Sequence, residues 1–183
     1  MKADNSNSIY EDLNKEPLSV EVLNRINLFK DIVNPFIKEG FTIDLCCGTK
    51  EIGILFEADD FYDYFISEDI KKCDMLNFGN DVETKGDNIL FTHAIEHFAD
   101  VKQTLDIIRQ EFIQDKGRLI ITCPNSDYDN KHKPFDRSIG HYSYHNVQSI
   151  KNIAPKCGFR ILFVGEINYY KDYEELVVVL EAI

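Results

Sequence analysis

The sequence predicts an α/β fold, a mostly parallel central sheet with helices on both faces, on three observations. Strand-like and helix-like segments alternate through most of the chain. Several strand-like runs are apolar throughout, as strands covered on both faces are. A further strand-like stretch, Phe41 to Leu45, alternates Phe41 and Ile43 with Thr42 and Asp44 and leads into a turn of small residues, Cys46, Cys47 and Gly48. An acidic residue near the end of such a strand, followed by a small-residue turn into a helix, is how open α/β sheets build a ligand site.

The elements follow in order. Residues 1–17 are rich in Asn, Ser and charge without sustained periodicity, and read as a mobile arm. Ser19 is a plausible N-cap, and Val22, Ile26, Phe29 and Val33 share one helical face until Pro35 stops the helix. After the first strand and its turn, Glu51 to Asp59 has Ile52, Leu55 and Phe56 at helical spacing, weakened by Gly53. Phe61 to Ser67 reads as a second strand. Too few residues separate it from KKCDMLNF for a crossover helix, so the sheet is trimmed after the second strand.

Gly79 to Asp87 reads as a polar loop and Asn88 to Thr92 as a buried strand. Val101, Leu105, Ile108 and Phe112 then form the clearest amphipathic helix, with Gly117 as the turn after it. Arg118 to Cys123 is a further buried strand. The segment Asn125 to Tyr144 is long, polar and aromatic, the pattern of a substrate loop. Val147, Ile150 and Ile153 mark a last helix, ended by Pro155 and Gly158, before strands at Phe159 to Val164 and Leu176 to Leu180.

Length and charge narrow the function classes. With 183 residues, 44% hydrophobic and 12% aromatic, the chain suits one domain spanning residues 1–183. No apolar run approaches the roughly 18 residues that cross a bilayer, and MKADNSNSIYEDLNKE lacks a signal-peptide core. A cytoplasmic protein without membrane contact is expected. A net charge of -12 disfavours nucleic acid as a partner, because affinity for it comes largely from Lys and Arg meeting phosphates. The five cysteines include no CxxC pair and read as free thiols.

Three stretches carry a resemblance: IDLCCGTK at 43–50, CDML at 73–76, and NILFTHAIEHFADVKQTLDIIRQEFIQDKGRLIITCPN at 88–125, with HYSYHNVQSIKNIAPKCGF at 141–159 agreeing in pattern. Together they resemble class I S-adenosylmethionine-dependent methyltransferases of the compact, small-molecule kind, which have a Rossmann-like fold. The resemblance implies S-adenosylmethionine as cofactor and a hydroxyl or amine of a small molecule, such as a sugar or other metabolite, as methyl acceptor. It implies cofactor contacts at Asp44, Cys46, Gly48, Ile66, Glu68, Asp74, Met75, Thr92 and His93. Asp44 and Gly48 would line the methionine part and Asp74 with Met75 the adenine, whose amine needs an acceptor. Glu68 stands in for the acid that holds the ribose, with Asp69 and Asp63 as alternatives.

The family usually has glycine at the positions of Cys46 and Lys50. This departure leaves open a chain that keeps the fold and binds cofactor or a partner protein without efficient catalysis. The spacing of a nicotinamide site, G-x-G-x-x-G, is missing.

Methyl transfer from a sulfonium asks the protein to align two reactants and remove one proton. His93 and His97 follow the fourth strand, and His141 arrives from the long loop, so these three are the candidate catalytic residues. Some relatives with an acid-x-x-Glu-His pattern hold a divalent ion. Here His93 replaces the first acid of His93-x-x-Glu96-His97, so the match is partial: the leading reading has no metal, and a site of imidazole and carboxylate ligands is the alternative. Lys131, His132, Lys133 and Arg137, interleaved with Tyr128, Tyr142 and Tyr144, could meet an acidic or cyclic acceptor.

Overall fold

Helix α1 (Val20–Val33) presents Ile26, Phe29 and Val33 to the protein interior, and stops where Pro35 enters the first turn of a short 3-10 segment, Asn34–Phe36. The computed structural model describes residues 20–48, 50–64, 69–74, 82–127, 140–170 and 173–183, with the backbone alone at 20–23, 169, 170 and 173. The expected arm at 1–17, the cap at Ser19 and the basic part of the long loop lie outside the described residues.

Strands β1 (Thr42–Leu45), β2 (Asp60–Asp63), β3 (Lys71–Lys72), β4 (Gly86–Thr92), β5 (Ile113–Pro124), β6 (Phe159–Tyr170) and β7 (Tyr173–Ala182) form one seven-stranded sheet in the order β3-β2-β1-β4-β5-β7-β6. The first five are parallel, and β7 runs antiparallel to β5 and β6. The sheet is mostly parallel, as the apolar runs predict. The trimming after β2 is real, since β3 follows β2 and pairs with it in parallel after a short connection.

Side chains alternate between two cores. Ile43, Leu45, Ile89, Phe91, Leu119, Ile121, Val178 and Leu180 face one side, with α3 (Val101–Ile107) and α4 (Val147–Ile153) packed over them. Leu90, Ile120 and Val177 face the other, under Phe29 and Val33 of α1 and Ile52 of α2 (Glu51–Leu55). Caps fix the helix starts. The Asp100 side chain accepts from Gln103 N (3.0 Å), and Asn146 with Ser149 makes a reciprocal capping box.

The structure corrects several expectations. The helix expected at Glu51 to Asp59 ends at Leu55, where Phe56 turns and Glu57 takes a left-handed φ of 53°. The strand expected from Phe61 is Asp60–Asp63, and Tyr64 already bends away. The amphipathic helix widens into a π turn at Ile108–Phe112. Gly117 is no turn after it: β5 begins at Ile113, and Gly117 lies in a bulge beside Lys116 (φ 61°), where the pairing jumps from Gly86↔Ile113 to Asn88↔Arg118. A Cβ at Gly117 would meet the Ile113 side chain at 2.6 Å, so packing explains the glycine. Strands β6 and β7 extend beyond their apolar centres because each satisfies the other's backbone along a long hairpin.

Candidate functional site

The turn after β1 carries Cys46, Cys47 and Gly48 beyond the carboxyl end of the sheet. Cys47 N donates to Tyr62 O (3.1 Å) and Gly48 N to Asp63 Oδ2 (2.8 Å), which fastens the turn to the end of β2. Cys46, Gly48 and Lys50 all have left-handed backbones, with φ of 59°, 51° and 66°. Thus both positions where the family resemblance expects glycine keep a glycine-like path with a side chain attached. That conformation costs about 1–2 kcal/mol for an L-residue. At Lys50 the side chain gives something back, lying 5.4 Å from the Phe61 ring and 3.7 Å from Asp69 Oδ2. Lys50→Gly should therefore raise stability by up to about 1 kcal/mol, read as a higher midpoint in urea. A lower midpoint would mean that the lysine's contacts outweigh its strain.

Asp44 is buried on β1. Its Oδ2 accepts from Gly53 N (2.9 Å), while Oδ1 is buried with no hydrogen-bond partner among the described residues. Gly53, the residue that weakens α2, is needed here, because a Cβ would meet Asp44 Oδ2 at 2.5 Å. Burial pushes the Asp44 carboxyl up to about 7, opposed by the Gly53 hydrogen bond. An orphaned carboxylate oxygen next to a turn of small residues fits a ligand carrying positive charge, such as the ammonium end of S-adenosylmethionine. Burial likewise drives the Cys46 thiol well above its ordinary value, which leaves it an inert neighbour.

The other expected cofactor residues are distributed along the same edge. Asp63 ends β2 and Asp74 follows β3 by two residues, with Cys73 N donating to Asp63 O (2.8 Å) between them. Thr92 ends β4 and pairs with Thr122 of β5. Ile66, Glu68 and Met75 lie outside the described residues, as do Tyr128, Lys131, His132, Lys133 and Arg137.

Beyond β4 the three candidate histidines part company. His93 has a left-handed backbone (φ 49°), and its N donates to Thr122 O (2.9 Å). Its Nε2 donates to Glu175 Oε1 (2.6 Å) and its Nδ1 faces Glu96 Oε1 at 3.4 Å. Burial would depress this imidazole, yet Glu175 and Glu96 outweigh burial and hold the ring above its ordinary value. Arg25 of α1 joins the group, donating from Nε to Glu175 Oε2 (3.0 Å) and from its terminal nitrogen to Oε1 (3.1 Å) and abutting His93. Burial alone would raise the Glu175 carboxyl, but His93 and Arg25 hold it well below the usual carboxylate range.

His97 and His141 face each other instead. Their rings meet edge to face with centroids 5.0 Å apart. Residues 140–145 are stitched to the 3-10 turn Ile95–His97: Tyr142 N and Ser143 N donate to Glu96 O (2.8 and 3.1 Å), and Ser143 Oγ donates to Ile95 O (3.0 Å). His145 donates to Ser143 Oγ (2.8 Å), and burial lowers its imidazole to about 4. Tyr142 and Tyr144 on this segment are exposed.

Sequence reasoning names all three histidines but misses Arg25 and Glu175. Arg25 stands on the polar side of a helical pattern, and Glu175 precedes an apolar strand; neither position signals that the two meet across 150 residues. An acid opening the fully buried run Leu176–Leu180 was the available hint.

Solved structures share this fold. A structure of 1,6-didemethyltoxoflavin-N1-methyltransferase from Burkholderia thailandensis, with its substrate and S-adenosylhomocysteine bound, superposes with a TM-score of 0.69 at 13% identity, covering 96% of this chain and 84% of that one. Magnesium protoporphyrin IX methyltransferase from Synechocystis PCC 6803, with S-adenosylhomocysteine bound, gives 0.65 at 13% identity over 98% and 96%. A cyclase, SpnF, gives 0.65 at 9% identity over 86% and 80%. No curated protein matches by sequence, and among the described residues no helix is long and apolar enough to cross a membrane. The family model for a methyltransferase domain matches residues 25–163. The chain therefore belongs to the methyltransferase-domain family, with the class I α/β fold and S-adenosylmethionine as its cofactor.

Proposed function

We propose that the protein transfers a methyl group from S-adenosylmethionine to a hydroxyl of a small molecule, with an amine as the less favoured acceptor. The observation that carries the acceptor side is the cluster Glu96, His97 and His141 beyond β4, at the sheet end where Asp44 and Gly48 also lie. The cofactor brings an activated methyl on sulfur; the residues of the chain hold it, align the acceptor and accept its proton. Asp44, Cys46 and Gly48 would receive the methionine end, Asp74 and Met75 the adenine, and Thr92 and His93 the edge between cofactor and acceptor. Glu68 would hold the ribose, with Asp63 at the end of β2 or Asp69 as the alternatives, and Ile66 nearby in sequence.

His93 suits a positioning role better than that of a base, because both its nitrogens face carboxylates. The pair His97 and His141 is better placed to manage the acceptor's proton. Small-molecule acceptors are supported by the two neighbours named for toxoflavin and protoporphyrin chemistry. A second reading, cofactor binding without methyl transfer, has the SpnF neighbour in its favour, since that protein is named for cyclisation. Against it, Cys46 and Lys50 take the left-handed backbone that a glycine would supply at those positions.

Cofactor binding is expected to depend on pH through Asp44. Its folded value of about 7 lies above the ordinary 3.8, so free protein carries a proton there that a cationic ligand must displace. Affinity for S-adenosylhomocysteine, measured by calorimetry, should be about tenfold weaker at pH 6 than at pH 8, and flat in Asp44→Asn. In the same preparations, His141→Ala should lower turnover on an acceptor panel while leaving that affinity intact. An unaltered rate would remove the imidazole pair from the reaction.

A further inference from the structure

We propose that Glu96, His97 and His141 form a three-ligand site for a divalent transition-metal cation; that the cation activates the acceptor hydroxyl rests on the methyl-transfer reading above. One ligand atom from each of the three side chains lies within 4.8 Å of the others. A tetrahedral ion with ligands near 2.0–2.1 Å sets them about 3.4 Å apart, so side-chain rotation without backbone movement closes the site.

Further features of the cluster suit a cation. Glu96 is buried, yet its Oε2 has no hydrogen-bond partner among the described residues. A buried carboxylate oxygen without a donor is costly, and a bound cation removes the cost. His97 Nδ1 donates to Gly140 O (3.1 Å), which fixes the proton on that nitrogen and leaves Nε2 as a lone pair. A backbone carbonyl holding the far nitrogen is the usual support of an imidazole ligand. The two hydrogen bonds from Tyr142 N and Ser143 N to Glu96 O then lock the segment bearing His141 over the same turn.

The ligand set differs from the one the local sequence offers. His93 stands where the first acid of the motif would be, but its Nε2 is engaged by Glu175, with only its Nδ1 toward Glu96. The third ligand comes instead from the loop after β5. Two imidazoles and one carboxylate favour zinc, iron, cobalt or nickel over magnesium or calcium. Three protein ligands leave positions open for an acceptor, and a hydroxyl bound there would give its proton to bulk water far more readily than when free. In the loaded site the two imidazoles thus manage that proton through the ion and not as bases.

The test uses the full chain, freed of metal by a chelator and titrated with Zn²⁺ by calorimetry and with Co²⁺ by visible absorption. One ion per chain is expected, with the d–d bands of a low-coordinate Co²⁺ site. Glu96→Gln and His141→Ala should each weaken the ion by at least the roughly 100-fold that even supporting residues can cost. Both should keep S-adenosylhomocysteine affinity within about twofold, which also shows that they are folded. A parent chain that takes up neither ion, or folded variants that bind as the parent does, would overturn the site. The two readings fail separately: ion uptake without S-adenosylhomocysteine binding sinks the methyl-transfer reading alone, and the reverse sinks the metal site alone.

Discussion

Replacing Arg25 with methionine is expected to destabilise the protein by about 3 kcal/mol, the low end of what breaking a buried ion pair costs. Glu175 is 2% exposed, and Arg25 donates to both of its oxygens, at 3.0 and 3.1 Å. Methionine keeps the volume and removes the charge, so Glu175 would rely on His93 for compensation. The low end applies because the Arg25 side chain is 29% exposed and water screens part of the attraction. Urea unfolding of Arg25→Met, Glu175→Leu and the double variant forms a cycle in which the double variant recovers most of the loss. A single-variant loss under about 1 kcal/mol would show that the pair is dominated by solvent.

Gly48→Val is expected to lower S-adenosylhomocysteine affinity by more than about 100-fold, or ~2.8 kcal/mol, while costing the fold only about 1–2 kcal/mol. Gly48 has a φ of 51°, so any side chain is strained there, more so a β-branched one. A Cβ at this position meets nothing within 4 Å. The added groups would project into open space beside the cofactor turn, so the loss falls on binding more than on folding. Comparable losses in affinity and stability would place the cofactor elsewhere.

The strands β4 and β5 were legible from their apolar centres, which burial on both faces demands, and β1 from Phe41 and Ile43 alternating with Thr42 and Asp44 before the small-residue turn. Their ends were less so. The hairpin of β6 and β7 runs past its apolar residues through Glu166, Asn168 and Glu174, whose place is set by backbone pairing and not by side-chain hydropathy. Gly117 carries the same signal whether it ends a turn or relieves crowding in a bulge, and distant packing decides between them. At the site, Asp44 and Gly48 could be read from one short stretch. The role of His93 could not, since its carboxylate Glu175 and its neighbour Arg25 are 82 and 68 residues away. Likewise the pairing of His97 with His141 depends on a chain reversal that local periodicity does not encode.

The two borders of the sheet differ in a way that bears on self-association. Among the described residues, the border of the sheet beyond β2 is β3, Lys71–Lys72, both exposed. A second chain adding there would bring like charges together along a ladder too short to compensate. The opposite border, β6, is long enough to template another strand, but its pairing slips at Ile161/Phe163 and again at Asn168/Tyr170. Such irregularities twist an open strand out of the flat shape that fibril growth requires. Among the described residues, one border is thus short and charged and the other distorted, and each feature works against the addition of a further strand.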